Sequence, residues 1–176
     1  MKRNLFVWQL GGVTFTAILG TVLHFLYEWT GGVVIASVSA VNESTWEHMK
    51  LLFIPSIIFA VIQSFFTKDD FHNFCTVKLT GIILGMMSIP VLFYTLGGAF
   101  GELSAIVNIA IFFISIFVEY IIEYFLYEKI PSNPMLKWLS VLILVVILAF
   151  FITFTFYPPH IPLFLDPVTK NYGITK

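Results

Sequence analysis

The stretch that decides the fold is VNESTWEHMK (41–50), followed without a break by the apolar run LLFIPSIIFAVIQSFF (51–66). The first ten residues include two glutamates, a histidine and a lysine, whereas charge is sparse elsewhere in the chain. Ser44 to Glu47 fits the capping box, in which a serine and a glutamate satisfy the first free amides of a helix. The pattern predicts a helix over about 45–66 that crosses a membrane, with a bend at Pro55.

The composition of the whole chain is that of a membrane protein. Hydrophobic residues make up 59% and charged residues 11%, whereas a soluble domain carries about 25% charged residues. Since lipid cannot hydrogen-bond to an open sheet edge, the spans are expected to be helical. A net charge of −1 excludes a general basic surface for nucleic acid. One cysteine excludes an intrachain disulfide framework. The expected partner is the lipid bilayer.

Five apolar segments are long enough to cross the bilayer. They predict spans at about 5–27, 45–66, 74–96, 103–127 and 135–157 within a single transmembrane domain, 1–176, that ends in an outer tail at 158–176. The segment from Gly31 to Val41 is apolar but shorter than the ~20 residues needed to cross. The predicted fold is therefore an all-α integral membrane protein, a five-span helical bundle with a short re-entrant or interfacial segment before span two.

Basic residues predict the orientation, because cytoplasmic loops carry an excess of lysine and arginine. With the N-terminus inside and the C-terminus outside, six of the nine basic residues lie at the cytoplasmic edge and three outside. The six are Lys2, Arg3, Lys68, Lys78, Lys129 and Lys137, and the three are Lys50, Lys170 and Lys176. We expect a multi-pass protein of the cytoplasmic (inner) membrane.

Three sets of motifs resemble a bacterial family of small multi-span membrane proteins of unknown function. They are HFLYEW (24–29), VNESTWEH (41–48), and the tail motifs PPHIPLF (158–164), DP (166–167) and YGI (172–174). The resemblance covers nearly the whole chain and implies this topology and the importance of the motifs, but no activity. Lys170 stands where the tail turn is expected to have a small residue.

The pair Ser44 and His48, four residues apart, is also similar to a motif of the seven-span membrane hydrolases that include alkaline ceramidases and adiponectin receptors. Those proteins use a serine and a histidine at this spacing, with further histidine and aspartate ligands around zinc. This chain has no later pair of histidines four apart and has about two spans fewer. The similarity is one of analogy.

Polar residues at the outer ends of spans one and two are the candidate metal ligands. His24 and Glu28 are four apart and share one helical face, and His48 lies at the start of the next span. Two imidazoles and one carboxylate can hold a zinc ion and leave a coordination position open. The prediction is an outward-facing pocket that binds a cation, such as zinc or another divalent metal, for binding or transport.

An alternative is a metal-dependent hydrolase that acts on a lipid or lipid-linked substrate at the outer leaflet. Glu43 or Glu47 would then be the general base, and Ser44 would belong to the catalytic set. The structural alternative is that Ser44 and Glu47 cap a helix while the other residues solvate the interface. A third alternative is an assembly or immunity partner whose polar residues only shape a surface.

Two further pairs are candidates. Glu119 and Glu123, near the predicted inner edge of span four, would form a proton or cation relay, or an interfacial pair neutralised by Lys78 or Arg3. His160 and Asp166 in the tail would form a lid over the outer pocket, or belong to a tail that caps the helix ends. Transport predicts a polar path from the outer pocket to Glu119 and a homo-oligomer, whereas the hydrolase predicts an apolar groove beside the metal.

Overall fold

The computed structural model describes residues 2–67 and 73–174, and this part of the chain is helical apart from its loops and tail. The α-helices are α1 (Lys2–Thr30), α2 (Val33–Val38), α3 (Thr45–Thr67), α4 (Phe74–Phe100), α5 (Ala105–Leu126) and α6 (Pro134–Phe156). All but the six-residue α2 are long and apolar enough to cross a membrane. The structure thus confirms the predicted five-span bundle with a short segment before span two, and the chain is a multi-pass integral membrane protein.

The helix ends follow local chemistry. Asn133 accepts hydrogen bonds from two amides at the start of α6, and Ser104 accepts one from Val107 N at the start of α5. At the other end of α4, Gly101 adopts a positive φ of 83°, a conformation that favours glycine. This glycine ends α4 four residues beyond the predicted end at residue 96. Residues 68–72, between α3 and α4, lie outside the described residues.

Helix α3 lies at the centre of the bundle. It packs against α1, α4 and α5. Of the most apolar part of α3, 61% is buried, compared with 17% of the corresponding part of α6. The core includes Leu51, Leu52 and Phe53 of α3 with Phe112 and Ile116 of α5. α6 is consequently the most lipid-exposed span, and the polar residues that begin α3 are held by neighbours on several sides.

Small residues let α1 approach α5 closely. A Cβ added at Gly12 would lie 2.2 Å from the Tyr120 ring, and one at Gly20 would lie 2.7 Å from the Phe112 ring. Between these glycines, Thr16 Oγ1 is hydrogen-bonded to the Tyr120 hydroxyl at 2.8 Å. The stripe of small residues every four positions in α1 is therefore the surface that packs on α5.

The tail folds back over the end of the bundle that carries His24 and His48, called here the histidine end. The Trp46 ring packs at 4.8 Å from the ring of Phe164, in a short 3₁₀ helix of the tail. Asn42 Nδ2 donates to the Gly173 carbonyl at 2.9 Å. Lys170 has a φ of 59°, a left-handed conformation normally left to glycine or asparagine, at the position where sequence comparison anticipated a small residue.

Candidate metal site

Three side chains from different parts of the chain converge at the histidine end. His24 belongs to α1, Glu43 to the loop before α3, and His48 to the first turns of α3. Glu43 Oε2 lies 3.6 Å from Nε2 of His24 and also 3.6 Å from Nε2 of His48. All three potential ligand atoms lie within 4.8 Å of one another.

These separations fit a tetrahedral metal ion. Zinc binds histidine nitrogen and carboxylate oxygen at about 2.1 Å, so two of its ligand atoms lie about 3.4 Å apart. Each nitrogen–oxygen separation in the site is 3.6 Å. Three protein ligands leave the fourth position of a tetrahedral ion open.

The hydrogen bonding of His48 prepares its ring for this role. His48 Nδ1 lies 2.9 Å from the Ser44 carbonyl oxygen, which can only accept a hydrogen bond, so Nδ1 carries the proton. The neutral ring then presents the lone pair of Nε2 to Glu43. A backbone carbonyl on the non-ligating nitrogen is a frequent partner of metal-binding histidines, because it fixes the tautomer and the ring orientation.

Glu43 is the anionic centre of the site. Its contact with His24 lowers the pKa of its carboxyl group below the ordinary value, and the neighbouring His48 lowers it further, against the opposing effect of burial. The side chain remains 46% exposed. A carboxylate that is ionised at neutral pH and still open to solvent is a suitable ligand for an entering cation.

The path of the backbone next to His24 depends on Ser39. The Ser39 hydroxyl accepts a hydrogen bond from Tyr27 N at 3.1 Å and donates one to the Leu23 carbonyl. In an undisturbed helix this amide and this carbonyl, four residues apart, pair with each other. Ser39 thereby attaches the start of the loop to α1 beside His24, and Glu43 follows four residues later. Ser39 was not predicted from the sequence, where the only indication of its role is a serine within an apolar segment.

Glu28, predicted as the third ligand, is placed differently from Glu43. It is exposed and lines a neighbouring depression together with His24 and Glu43. Among the described residues, the potential ligand atoms that converge belong to His24, Glu43 and His48, and Glu28 is not one of them. The i, i+4 spacing puts Glu28 on the same side of α1 as His24, but the loop carries Glu43 directly between the two imidazoles.

Ser44 and Glu47 have structural partners. Ser44 is buried, and its hydroxyl accepts a hydrogen bond from Glu47 N at 3.3 Å, which is one half of the predicted capping box. The other half is replaced, because Ser44 N donates to Asn42 Oδ1 at 2.9 Å and the Glu47 carboxylate accepts from Val41 N at 3.1 Å. It is the Ser44 carbonyl, not its hydroxyl, that contacts His48.

Glu47 also forms a buried ion pair with Lys50. Lys50 Nζ lies 2.6 Å from Glu47 Oε2, and it donates to the Ala36 carbonyl at 3.0 Å and to Thr155 Oγ1 at 2.8 Å. All three donors of the ammonium group therefore have acceptors. The network joins α2, α3 and α6 behind the metal site, and Thr155 is a member that the sequence analysis missed in an otherwise apolar helix.

An apolar groove of about 360 Å³ opens beside the three ligands, between α1, α3 and α5. Its walls are formed by Gly20, Thr21, Phe25, Leu51, Ala105, Asn108, Ile109, Phe112 and Phe113. Asn108 Oδ1 is buried there without a partner among the described residues. The sequence analysis missed Asn108, although a lone amide within an apolar span is a signal of function.

The tail borders the site through its backbone turn. Pro167 and Val168 line a second cavity together with Glu43 and His48. Asp166 is buried and shapes this turn, since it accepts hydrogen bonds from the amides of Val168 and of the following threonine at 2.7 and 3.2 Å. The turn lies at the edge of the site.

His160 and the inner carboxylates lie elsewhere. His160 is exposed, and its ring packs on Tyr172 at 4.6 Å. Glu119 and Glu123 are both fully buried, and Glu119 accepts a hydrogen bond from Ser56 at 2.8 Å. Ser56 is the middle residue of α3, so Glu119 lies half-way along that span. On its own helix, α5, Glu119 is the fifteenth of 22 residues.

Comparison with protein families agrees with the motifs. Residues 2–174 match the model of a family described as a family of unknown function, DUF6512. The chain belongs to this family. No curated protein and no solved structure matches the chain significantly. The resemblance seen in the sequence motifs is thus confirmed over nearly the whole chain, while the site rests on its own geometry.

Proposed function

We propose that the protein binds a divalent transition metal, zinc in the first place, through His24, Glu43 and His48. The observation that carries the proposal is the position of one carboxylate oxygen 3.6 Å from Nε2 of both histidines. With the N-terminus inside, as the basic residues predict, the site opens to the outer face of a bacterial cytoplasmic membrane. Lys50 was counted outside and Lys78 at the cytoplasmic edge, and both are buried in ion pairs. Without these two lysines, more basic residues still fall at the predicted cytoplasmic edge than outside.

The first use of such a site is cation binding, or the first step of cation transport. The Glu43 side chain is partly exposed, so a cation can reach its carboxylate from solvent. Below the site, Leu51 and Phe112 form an apolar floor. The next buried polar side chain of α3 is that of Ser56, which lies about 7.5 Å further along the helix at 1.5 Å per residue. Transport would require this floor to open, and we expect a transporting form to be a homo-oligomer.

The second candidate is a metal-dependent hydrolase acting on a lipid or lipid-linked substrate. The specific observation in its favour is the apolar groove that begins at the three ligands and has the character of a site for an acyl chain. However, Ser44 serves as a cap and Glu47 is paired with Lys50. Ser44 is therefore not free for the catalytic set, Glu47 is not free to act as a general base, and Glu43 is assigned to the metal, so cation binding stands first.

Zinc titration of metal-stripped protein in mild detergent tests the assignment of the third ligand. We expect Glu43→Gln to weaken zinc binding by more than about 100-fold, since even loss of a hydrogen-bond partner of a ligand costs about 10–100-fold. Glu28→Gln is the matched control, a second glutamate beside His24 that should change affinity only slightly. Equal effects of the two substitutions would contradict the proposed site.

A lipid assay separates the two uses of the site. Zinc-loaded protein is incubated with fluorescent phospholipid and ceramide in mixed micelles, and released fatty acid is measured. Zinc-dependent release that is lost in His48→Ala would establish the hydrolase. Intact lipids in the presence of stoichiometrically bound zinc would support cation binding or transport.

A further inference from the structure

A second polar cluster lies in the middle of the bundle and is not part of the metal site. Glu119 and Glu123 lie on successive turns of α5 and are fully buried. Lys78 of α4 contacts Glu123, with Nζ 2.6 Å from Oε2. Ser56 of α3 donates to Glu119 Oε2 at 2.8 Å. We name these four residues the central cluster.

Two glycines of α4 lie against the part of α5 that carries both glutamates. A Cβ added at Gly81 would lie 2.4 Å from Cγ of Glu123, and one at Gly85 would lie 2.7 Å from Cβ of Glu119. The GxxxG spacing on α4 is thus matched to the ExxxE spacing on α5. Gly81 faces the side chain of Glu123, whereas Gly85 faces Cβ of Glu119 and the Ser115 carbonyl, so these two glycines let α4 and α5 approach closely at the level of the glutamates.

The central cluster contains more acidic groups than bases. Among the described side chains, Lys78 is the only cation that acts on either carboxylate. Burying an ionised carboxylate without a cation costs several kcal/mol or more, so such a group takes up a proton or another cation. Because Lys78 contacts Glu123 directly, Glu119 is the carboxylate without a counter-charge.

Unsatisfied polar atoms point into the same region. Oε1 of Glu119 and Oε1 of Glu123 have no hydrogen-bond partner among the described residues. Gln9 of α1 lies beside Glu123. Its buried amide is close enough to act on the Glu123 carboxylate as a hydrogen-bond donor, although neither of its polar atoms meets strict hydrogen-bond geometry. Oε1 of Glu119 is therefore the carboxylate oxygen of the cluster that stays open to a proton.

We propose that the central cluster is a proton-binding site in the interior of the membrane-spanning bundle, with the proton carried by Glu119. The titratable groups that face the two carboxylates are Lys78 and Tyr120. The other facing groups, Ser56, Gln9 and Thr16, do not titrate. Addition of one proton to the Glu119 carboxylate leaves the cluster neutral, as Glu123 and Lys78 balance each other. A proton-carrying carboxylate buried between membrane-spanning helices is the element that a proton-coupled activity requires.

Infrared spectroscopy of the full-length protein tests this proposal. At neutral pH we expect the carbonyl absorption of a protonated, dehydrated carboxyl group, and its loss in Glu119→Gln. Glu123→Gln should also abolish it, because Lys78 then becomes the counter-charge of an ionised Glu119. Arg3→Gln is the control, because the sequence offers Arg3 as an alternative counter-charge for Glu119 and Glu123. This variant should retain the absorption. Absence of the absorption in the wild type, or its persistence in Glu119→Gln, would overturn the proposal.

Thermal unfolding provides a second readout. Glutamine is neutral and nearly isosteric with a protonated glutamate, so Glu119→Gln should unfold at the wild-type temperature. Glu123→Gln should unfold at a lower temperature, because it removes the partner of Lys78. A Glu119→Gln variant that fails to fold, or that is destabilised as much as Glu123→Gln, would show that Glu119 is ionised and structurally paired. The zinc affinity of Glu119→Gln should be unchanged, which keeps this test separate from that of the metal site.

Discussion

Replacing Lys50 by methionine is expected to destabilise the protein by about 3–5 kcal/mol, the typical cost of removing one partner of a buried ion pair. Methionine fills much of the volume of the lysine side chain but leaves the Glu47 carboxylate buried beside Thr155 without a cation. The Ala36 carbonyl loses its donor as well. The free energy of unfolding in detergent micelles, followed by circular dichroism, is the measurement.

Two variants show whether the uncompensated charge is the cause. Lys129→Met changes an exposed lysine and should stay within about 0.5 kcal/mol of the wild type. The double variant Glu47→Met with Lys50→Met removes both charges and should recover a large part of the loss. If Lys50→Met proves as stable as Lys129→Met, the buried network does not hold the histidine end together.

The second large effect is expected at Gly12. Leucine at this position would drive its side chain into the Tyr120 ring, which a Cβ alone would already approach to 2.2 Å. The ring cannot move away without losing its hydrogen bond to Thr16. We expect α1 to separate from α5 at a cost of about 3 kcal/mol, at the upper end of what overpacking usually causes.

The matched control is Gly98→Leu in α4. A Cβ at Gly98 would meet nothing within 4 Å, and leucine is the better helix former by about 1 kcal/mol or slightly less. Its stability should therefore equal or exceed that of the wild type in the same unfolding experiment. A loss of stability at Gly98 as large as that at Gly12 would mean that loss of helix flexibility, not the α1–α5 contact, is responsible.

Much of the fold follows from sequence because the bilayer limits the choices. Length and hydropathy define each span, and the eleven residues before span two are too few to cross. The approach of His24 to His48 is also predictable, since both lie near the same ends of consecutive antiparallel spans. Gly101 shows the limit of such reasoning, because the end of α4 depends on one glycine with positive φ rather than on hydropathy.

The position of Glu43 between the two histidines cannot be predicted from spacing. Helical periodicity relates Glu28 to His24, whereas the position of Glu43 depends on a loop whose course is set by Ser39 and by the Glu47–Lys50 pair. These contacts join residues that no periodic pattern connects. The course of a loop without a periodic pattern depends on tertiary hydrogen bonds, and these are seen only in the folded structure.

The most direct test of the account is the metal content of protein purified in mild detergent without added metal, compared between the wild type, His48→Ala and Glu28→Ala. Elemental analysis should find about one zinc or other divalent transition-metal ion per chain, as expected for one three-ligand site, in the wild type and in Glu28→Ala. His48→Ala should contain almost none while retaining its helical circular dichroism. A wild-type protein without metal, or a His48→Ala variant with the full amount, would contradict the metal site.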